Sequence, residues 1–456
     1  MSDGSIATAT RKLGKAVSFT YGGGDFAFNL FFTTASLYLL FYYTDVLGLP
    51  PATAGWVFAV ALIWDALFDP AMGYFANRTR SRWGRYRPYL LFGGIPIAIA
   101  WALMFVPVTL EGSALVGFAV ATHILFRTCY AIVSMPYLAL SAVMTSDTNE
   151  RGVLAGFRMV SAAFSGLLVA VFTLKLVALF GGGRTGFFIT ALIYGGVAAC
   201  IFATVFAVVR ETEESQEEAL PSFGGMMRML ASNRAFWIVS LAMLLGGVSG
   251  TLANKTLPYY FKYALHREDL IGAALGAWAI SIVIAIPFWT WVMKRSSKRT
   301  VWLSGAMVST LGYIGLWVFG TQPAGFIALL PITGIGGAAA YLGLWSMMPD
   351  TVEYGEFRSG VRSEGVIFGF ASLIQKASLG LAASGLGELL QMIGYRANQS
   401  QAPETLGAMR VIMIAGPAML SILAALVISA YPISPELHAR LRAAIARRKS
   451  SEAPHR

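Results

Sequence analysis

Residues 63–93 read IWDALFDPAMGYFANRTRSRWGRYRPYLLFG. Asp65 and Asp69 stand one helical turn apart inside an apolar run, which then breaks into a loop carrying Arg78, Arg80, Arg82, Arg85 and Arg87 before apolar sequence resumes. A soluble helix would turn its acids to a wet face, but Ile63, Trp64, Ala66, Leu67 and Phe68 leave none. The run reads as a membrane span whose acids point into the protein, and the basic loop as its turn at the membrane surface.

The rest of the chain repeats this pattern. Of its 456 residues, 56% are hydrophobic and only 12% charged, against about a quarter charged in soluble proteins. The net charge of +11 would suit nucleic acid, but the Lys and Arg sit mostly in short loops between apolar runs, so they report membrane orientation and no nucleic-acid partner. Cys129 and Cys200 both fall in spans and read as small buried hydrophobes. The first run, Ala16 to Tyr43, is too long for a signal peptide and reads as a retained helix.

Twelve windows between Ser18 and Tyr431 reach spanning length. An even number puts both termini on one side. Lys15, the 78–87 loop, KRSSKR at 294–299 and the tail from Arg440 to Lys449 share that side, with Arg11 and Lys12, whereas TDVLGLPP, VPVTLEGS and GTQPAG carry no Lys or Arg. The positive-inside rule makes both termini cytoplasmic. The long polar segment RETEESQEEALPSFGGMMRMLASNR divides the spans six and six: a first bundle at 1–209, a central loop at 210–235, a second bundle at 236–433 and a basic tail at 434–456. Span eight followed by KRSSKRTVW repeats the span two arrangement. The pattern predicts an all-α membrane protein of the major facilitator architecture, with substrate near mid-membrane between the halves.

Ionisable residues at depth are the functional pointers. Asp65 and Asp69, at a spacing of four, share a helical face. In low dielectric they must share a proton, meet a cationic side chain such as Lys376, or bind a cation, and Na+ prefers such oxygen ligands. Asp25 follows three glycines and lies about 12 Å into its span, where it can accept sugar hydroxyls or pair with Arg158. Arg127 presents a donor fork suited to a buried acid or to a carboxylate, phosphate or sulfonate on a substrate. Lys376 suits either role. Lys255 and Glu388 read as snorkelling or rim residues. Trp64, Tyr341 and Trp345 are candidates for stacking on a sugar ring.

Three segments, FYYTDVLGLPPATAG, the opening stretch from Ile63, and MMPDTVEYGEFRSGVRSEGVIFGF, together resemble the glycoside-pentoside-hexuronide:cation symporters, the group of the melibiose permeases. The likeness covers essentially the whole chain. It implies cation-coupled import, with Asp65 and Asp69 matching the family's cation site, Asp25 and Arg158 its sugar site, and Lys376 a basic residue of span eleven. Where the melibiose branch has an Asp in span four this chain has Ser134, where it has a Trp there is Leu138, and Phe68 replaces an Asn between the paired acids. Arg127 replaces a small residue. These departures point away from galactosides and toward H+ as well as Na+ coupling.

The sequence therefore predicts an inner-membrane symporter, driven by Na+ or H+ and holding no cofactor or other metal, that imports an acidic sugar such as a hexuronide or sulfonated sugar and acts as a monomer. Asp25, Arg127, Arg158, Lys376, Ser134 and Trp345 form its substrate site. Alternatives are a neutral glycoside or pentoside, or a lysophospholipid as in the related animal branch. A non-transporting sensor is a different class. An enzyme is disfavoured because His123, His266, His438 and His455 are scattered. The polar loop holding Asp350, Glu353, Glu356, Arg358 and Arg362 is read as a cytoplasmic gate that pairs with Arg78 and Arg85 when that side closes.

Overall fold

A chain with mean hydropathy +0.64 can satisfy its backbone in lipid only through helices or a closed barrel. The computed structural model describes residues 14–145, 148–211 and 223–452, and there the elements are helical. Arg11, Lys12 and most of the acidic central segment lie outside the described residues.

Helix α1 (Lys15–Thr34) continues through two π turns, Ala35–Leu39 and Tyr42–Val46. Then come α2 (Pro51–Arg78), α3 (Arg87–Leu103), α4 (Gly112–Met144), α5 (Thr148–Leu179) and α6 (Gly183–Val208). The short α7 (Phe223–Ser232) gives helical structure to part of the expected central loop. The second set is α8 (Arg234–Tyr259, with a π turn Tyr260–Ala264), α9 (Ile271–Arg295), α10 (Lys298–Phe319), α11 (Pro323–Ser359), α12 (Glu364–Met392), and α13 (Pro403–Arg410) running through a π turn, Val411–Ala415, into α14 (Gly416–Ser429). The tail forms α15 (Pro435–Glu452).

Among the described residues, 10 helices are long and apolar enough to cross a membrane; α3 is a shorter apolar helix, and α1 is the remaining expected span. Two boundaries differ from the sequence expectation. Helix α3 stops at Leu103 rather than near Val108, because a residue before proline, here Val106 before Pro107, disfavours helical backbone. Helix α11 runs on to Ser359, so most of the polar segment read as a gate loop is helix. Gly360, at φ 74°, supplies its left-handed cap.

The loop in the opening stretch is anchored by Glu211, whose carboxylate accepts the backbone N–H groups of Arg85 (2.7 Å), Tyr86 (2.7 Å) and Arg87 (3.0 Å) at the start of α3. A carboxylate there satisfies orphan donors and opposes the positive end of the helix dipole.

Two helix pairs, α2 with α12 and α5 with α9, make the broadest contacts between the halves. Both contacts are tight at the end opposite the basic loops, here the far face. A Cβ on Gly55 would lie 2.9 Å from the Ser384 backbone, one on Gly387 2.3 Å from the Pro51 carbonyl, and one on Gly272 2.9 Å from the Val171 carbonyl. Toward the basic loops the same helices part: Gly73 of α2, Gly152 and Gly156 of α5, and Gly365 and Gly369 of α12 meet no described atom within 4 Å of an added Cβ. The bundle is closed at the far face and open at the basic face.

Candidate functional site

The triple glycine before Asp25 lets two neighbours reach α1. A Cβ on Gly22 would meet the Phe157 backbone at 2.9 Å, and one on Gly24 the Tyr137 ring at 2.3 Å. Arg158 therefore grips Asp25 with two donors, Nε to Oδ2 at 2.6 Å and Nη2 to Oδ1 at 3.2 Å. The Tyr137 hydroxyl donates to the same Oδ2 at 2.6 Å, and its ring stacks on Tyr21 at 4.6 Å. Both charged side chains keep partial exposure, 26% for Arg158 and 16% for Asp25, so the pair lines the open space rather than the core.

Asp65 and Asp69 share one face of α2, but each meets its own cation. Arg127 of α4 lies 3.1 Å from Asp65 through Nη1. Lys376 of α12 contacts Asp69. Arg127 also sets Nε toward His123 Nε2 at 3.4 Å, and the other ring nitrogen faces the Tyr43 hydroxyl at 3.4 Å. Asp65 and His123 are buried. Phe68 stacks on Trp64, whose indole donates to Thr128 at 2.8 Å.

The structure thus assembles Asp25, Arg158, Asp65, Arg127, Asp69 and Lys376 into three acid and base pairs on α1, α2, α4, α5 and α12. Ser134 is buried on α4, with no hydrogen-bond partner for its hydroxyl among the described residues. Trp345 packs into the apolar cluster of the second half, its Nε1 also without a described partner. Neither joins the ion pairs. Glu388 accepts the Trp56 indole at 2.9 Å, a rim contact as expected. Lys255 departs from the snorkelling expectation: it is buried, because α1 and α2 cover its end of α8. Cys200 is exposed on the bundle exterior rather than buried.

The described side-chain contacts of the expected gate residues stay within one half or its tail. Asp350 pairs with Lys298 at 2.7 Å, Glu353 with His438 at 2.7 Å, and Glu356 with Arg362 at 2.8 Å, all within the second half and its tail. Arg362, joined to Glu364 and Glu356, has its pKa raised by those hydrogen bonds. Arg358 donates to the Tyr354 hydroxyl at 3.3 Å, Arg78 lies over the Tyr74 ring, and the Arg85 backbone is held by Glu211.

A second polar centre closes the far face, and sequence reading missed it. Asp45, its side chain fully buried, pairs with Lys262 at 2.8 Å. Tyr263 and Tyr395 donate to it, the latter at 2.6 Å, and the Asn398 side-chain amide donates to its carbonyl at 2.7 Å. Burial first, then the Asp45 charge, pushes the Tyr395 phenol far above its usual range. The available signal was a repeat: FYYTDV at 41–46 and PYYFKY at 258–263 place an acid and a base at equal positions.

Two helical halves that touch at one face and part at the other, with ion pairs in the gap, define a membrane transporter of the major facilitator fold. The chain belongs to the family described as MFS/sugar transport protein, whose model matches residues 20–435. It is 32% identical to the isoprimeverose transporter of Lactiplantibacillus pentosus, covering 93% of this chain and 90% of the relative. It is 29% identical to the glucuronide carrier protein homolog of Escherichia coli strain K12, covering 91% and 92%. The crystal structure of the nucleoside transporter NupG superposes with a TM-score of 0.64 at 13% identity, over 91% of this chain and 98% of that one, a likeness of fold.

Proposed function

We propose that this chain is a cation-coupled symporter of the bacterial inner membrane that imports an acidic sugar by alternating access, with both termini cytoplasmic and bundles at 1–209 and 236–433. The observation that carries this reading is the pairing of Asp65 with Arg127 and of Asp69 with Lys376. With the far face closed, the two cations stand where a coupling ion would. A proton or Na+ arriving at either carboxylate cancels its charge and releases the basic side chain, which then turns to an anion on the substrate. Ion and sugar each favour the other's binding, as symport requires. Asp25 and Arg158 hold sugar hydroxyls, and Ser134 and Trp345 line the path.

Closing of the basic face brings Asp350, Glu353, Glu356, Arg358 and Arg362 of the second half against Arg78 and Arg85 of the first. The experiment is uptake in vesicles of labelled neutral, carboxylated and sulfonated glycosides, under imposed Na+ or H+ gradients. Accumulation of intact sugar against its gradient supports symport. Equilibration alone under every gradient rejects coupling, and binding without accumulation supports a sensor. A neutral glycoside is the second reading, favoured by the internal neutralisation of Arg127 by Asp65, and the same panel tests it.

A further inference from the structure

Lys255 is 3% exposed on α8. Its Nζ reaches the Ala35 carbonyl at 3.4 Å and lies 4.4 Å from the centre of the Phe58 ring. No carboxylate lies within ion-pair distance of it among the described residues. The other mid-bundle bases, Arg127, Arg158 and Lys376, each have one. An ammonium offers three N–H donors, and a buried one served by a single long contact is costly to keep. Ala35 opens a π turn, a local widening that recurs at functional places.

The surroundings tie this lysine to the ion-pair cluster. The Phe58 ring that carries Lys255 also meets His123 edge-on, with centroids 5.2 Å apart, and His123 in turn faces Arg127. Counting Asp65, Arg127 and Lys255 as ionised and His123 as neutral, the cluster holds one positive charge in excess. It sits toward the far face, behind the Asp45 and Lys262 closure, on the side that an imported molecule enters.

We propose that Lys255 is a specificity-determining residue of the sugar site: when the far face opens, its ammonium and the Arg127 guanidinium together receive the carboxylate or sulfonate of an acidic sugar. The proposal rests on the sugar-symporter reading above and deepens it. A neutral glycoside leaves the surplus charge unpaired, whereas a monoanionic one neutralises it. The preference for acids is thus built from the penalty on the wrong ligand as well as from attraction to the right one.

The test is counterflow in proteoliposomes with phenyl β-glucoside, phenyl β-glucuronide and a 6-sulfonated glucoside, for wild type, Lys255→Met and Lys255→Arg. The expected result is that Lys255→Met lowers the acid-to-neutral transport ratio roughly ten- to a hundred-fold, the scale of one charge-assisted contact. Lys255→Arg keeps the ratio within about three-fold of wild type by the same conversion. Lys255→Gln is read in place of the Met variant if that one is not recovered in the membrane. An unchanged ratio in the neutral variant overturns the proposal. Wild type that carries only the glucoside overturns it while leaving sugar transport intact; wild type that carries none of the three overturns the functional reading as well.

Discussion

Asp45 and Lys262 stand at equal positions in α1 and α8, the first helices of the two halves, and their side chains pair at 2.8 Å across the boundary. Each lies in a π turn, Tyr42–Val46 and Tyr260–Ala264, with Thr44 and Tyr259 joined beside them by a 2.9 Å hydroxyl contact. A single repeat unit thus supplies both members of one closure. Thr44 beside Asp45 keeps its 2.8 Å contact in any state, but Lys262, Tyr263, Tyr395 and Asn398 belong to the second half and must be given up when the far face opens, so the network stabilises the closed form of that face.

Asp45→Asn removes the charge and keeps the shape. It should cost the closed far face roughly 2 kcal/mol, shifting the balance toward its open form by about thirty-fold. The measurement is labelling of a cysteine at Ala35 by an impermeant maleimide applied from the far side, with Cys129 and Cys200 replaced. An unchanged labelling rate would mean that the network does not hold the closure.

Gly387 is a second control point on the same face. Its missing Cβ would lie 2.3 Å from the Pro51 carbonyl oxygen and 3.0 Å from the Gly55 Cα, both backbone atoms that cannot rotate away. Gly387→Val should therefore prop α12 off α2 and slow turnover on the order of ten-fold, the scale of an overpacked contact. Ligand binding from the far side should persist. Counterflow rate and equilibrium binding, measured on one preparation, separate the two effects; equal loss of both would assign the glycine to folding instead.

What the sequence made legible followed from the lipid environment. Twelve apolar windows become helices because lipid leaves a backbone no other open choice, and a charge in such a window must find a partner, so Asp25, Asp65, Asp69, Arg127, Arg158 and Lys376 stood out. Partner choice was less legible. A spacing of four put Asp65 and Asp69 on one face, but α2 packs against both α4 and α12, so the pair divides between two cations. Asp45 escaped notice because it lies near a helix end, where an acid reads as surface; only the pairing with α8 buries it. The polar run after Pro349 resembled a loop because its stabilising partners, Lys298 and His438, are distant in sequence.

Tyr137 tests the sugar end of the site. Its hydroxyl lies 2.6 Å from Asp25 and also reaches the Tyr21 carbonyl at 2.6 Å, so it orients the carboxylate without supplying charge. Tyr137→Phe should raise the KM of transport about ten-fold, corresponding to ~1.4 kcal/mol for a hydrogen bond to a charged group. Asp25→Asn should raise it further, since it also frees Arg158. Initial uptake rates across sugar concentration give the KM. A fall in maximal rate at constant KM would place the pair in the conformational step.

Asp65 and Arg127 decide between an ion pair that merely holds helices together and one that exchanges with a coupling ion. Each single neutralisation leaves a partly buried opposite charge, so Asp65→Asn and Arg127→Gln should each destabilise the protein by about 2–3 kcal/mol. The double variant should recover much of that, giving a coupling energy above about 1 kcal/mol in a thermodynamic cycle. A structural pair predicts that transport recovers along with stability. An exchanging pair predicts otherwise: Asp65→Asn/Arg127→Gln regains its thermal transition and performs counterflow of a neutral glycoside, whose binding does not need the Arg127 cation, yet fails to accumulate that sugar under a Na+ or H+ gradient, because the carboxylate that the ion must neutralise is gone. Gradient-driven accumulation at wild-type level in that double variant would place coupling elsewhere, with Asp69 and Lys376 the next pair to neutralise.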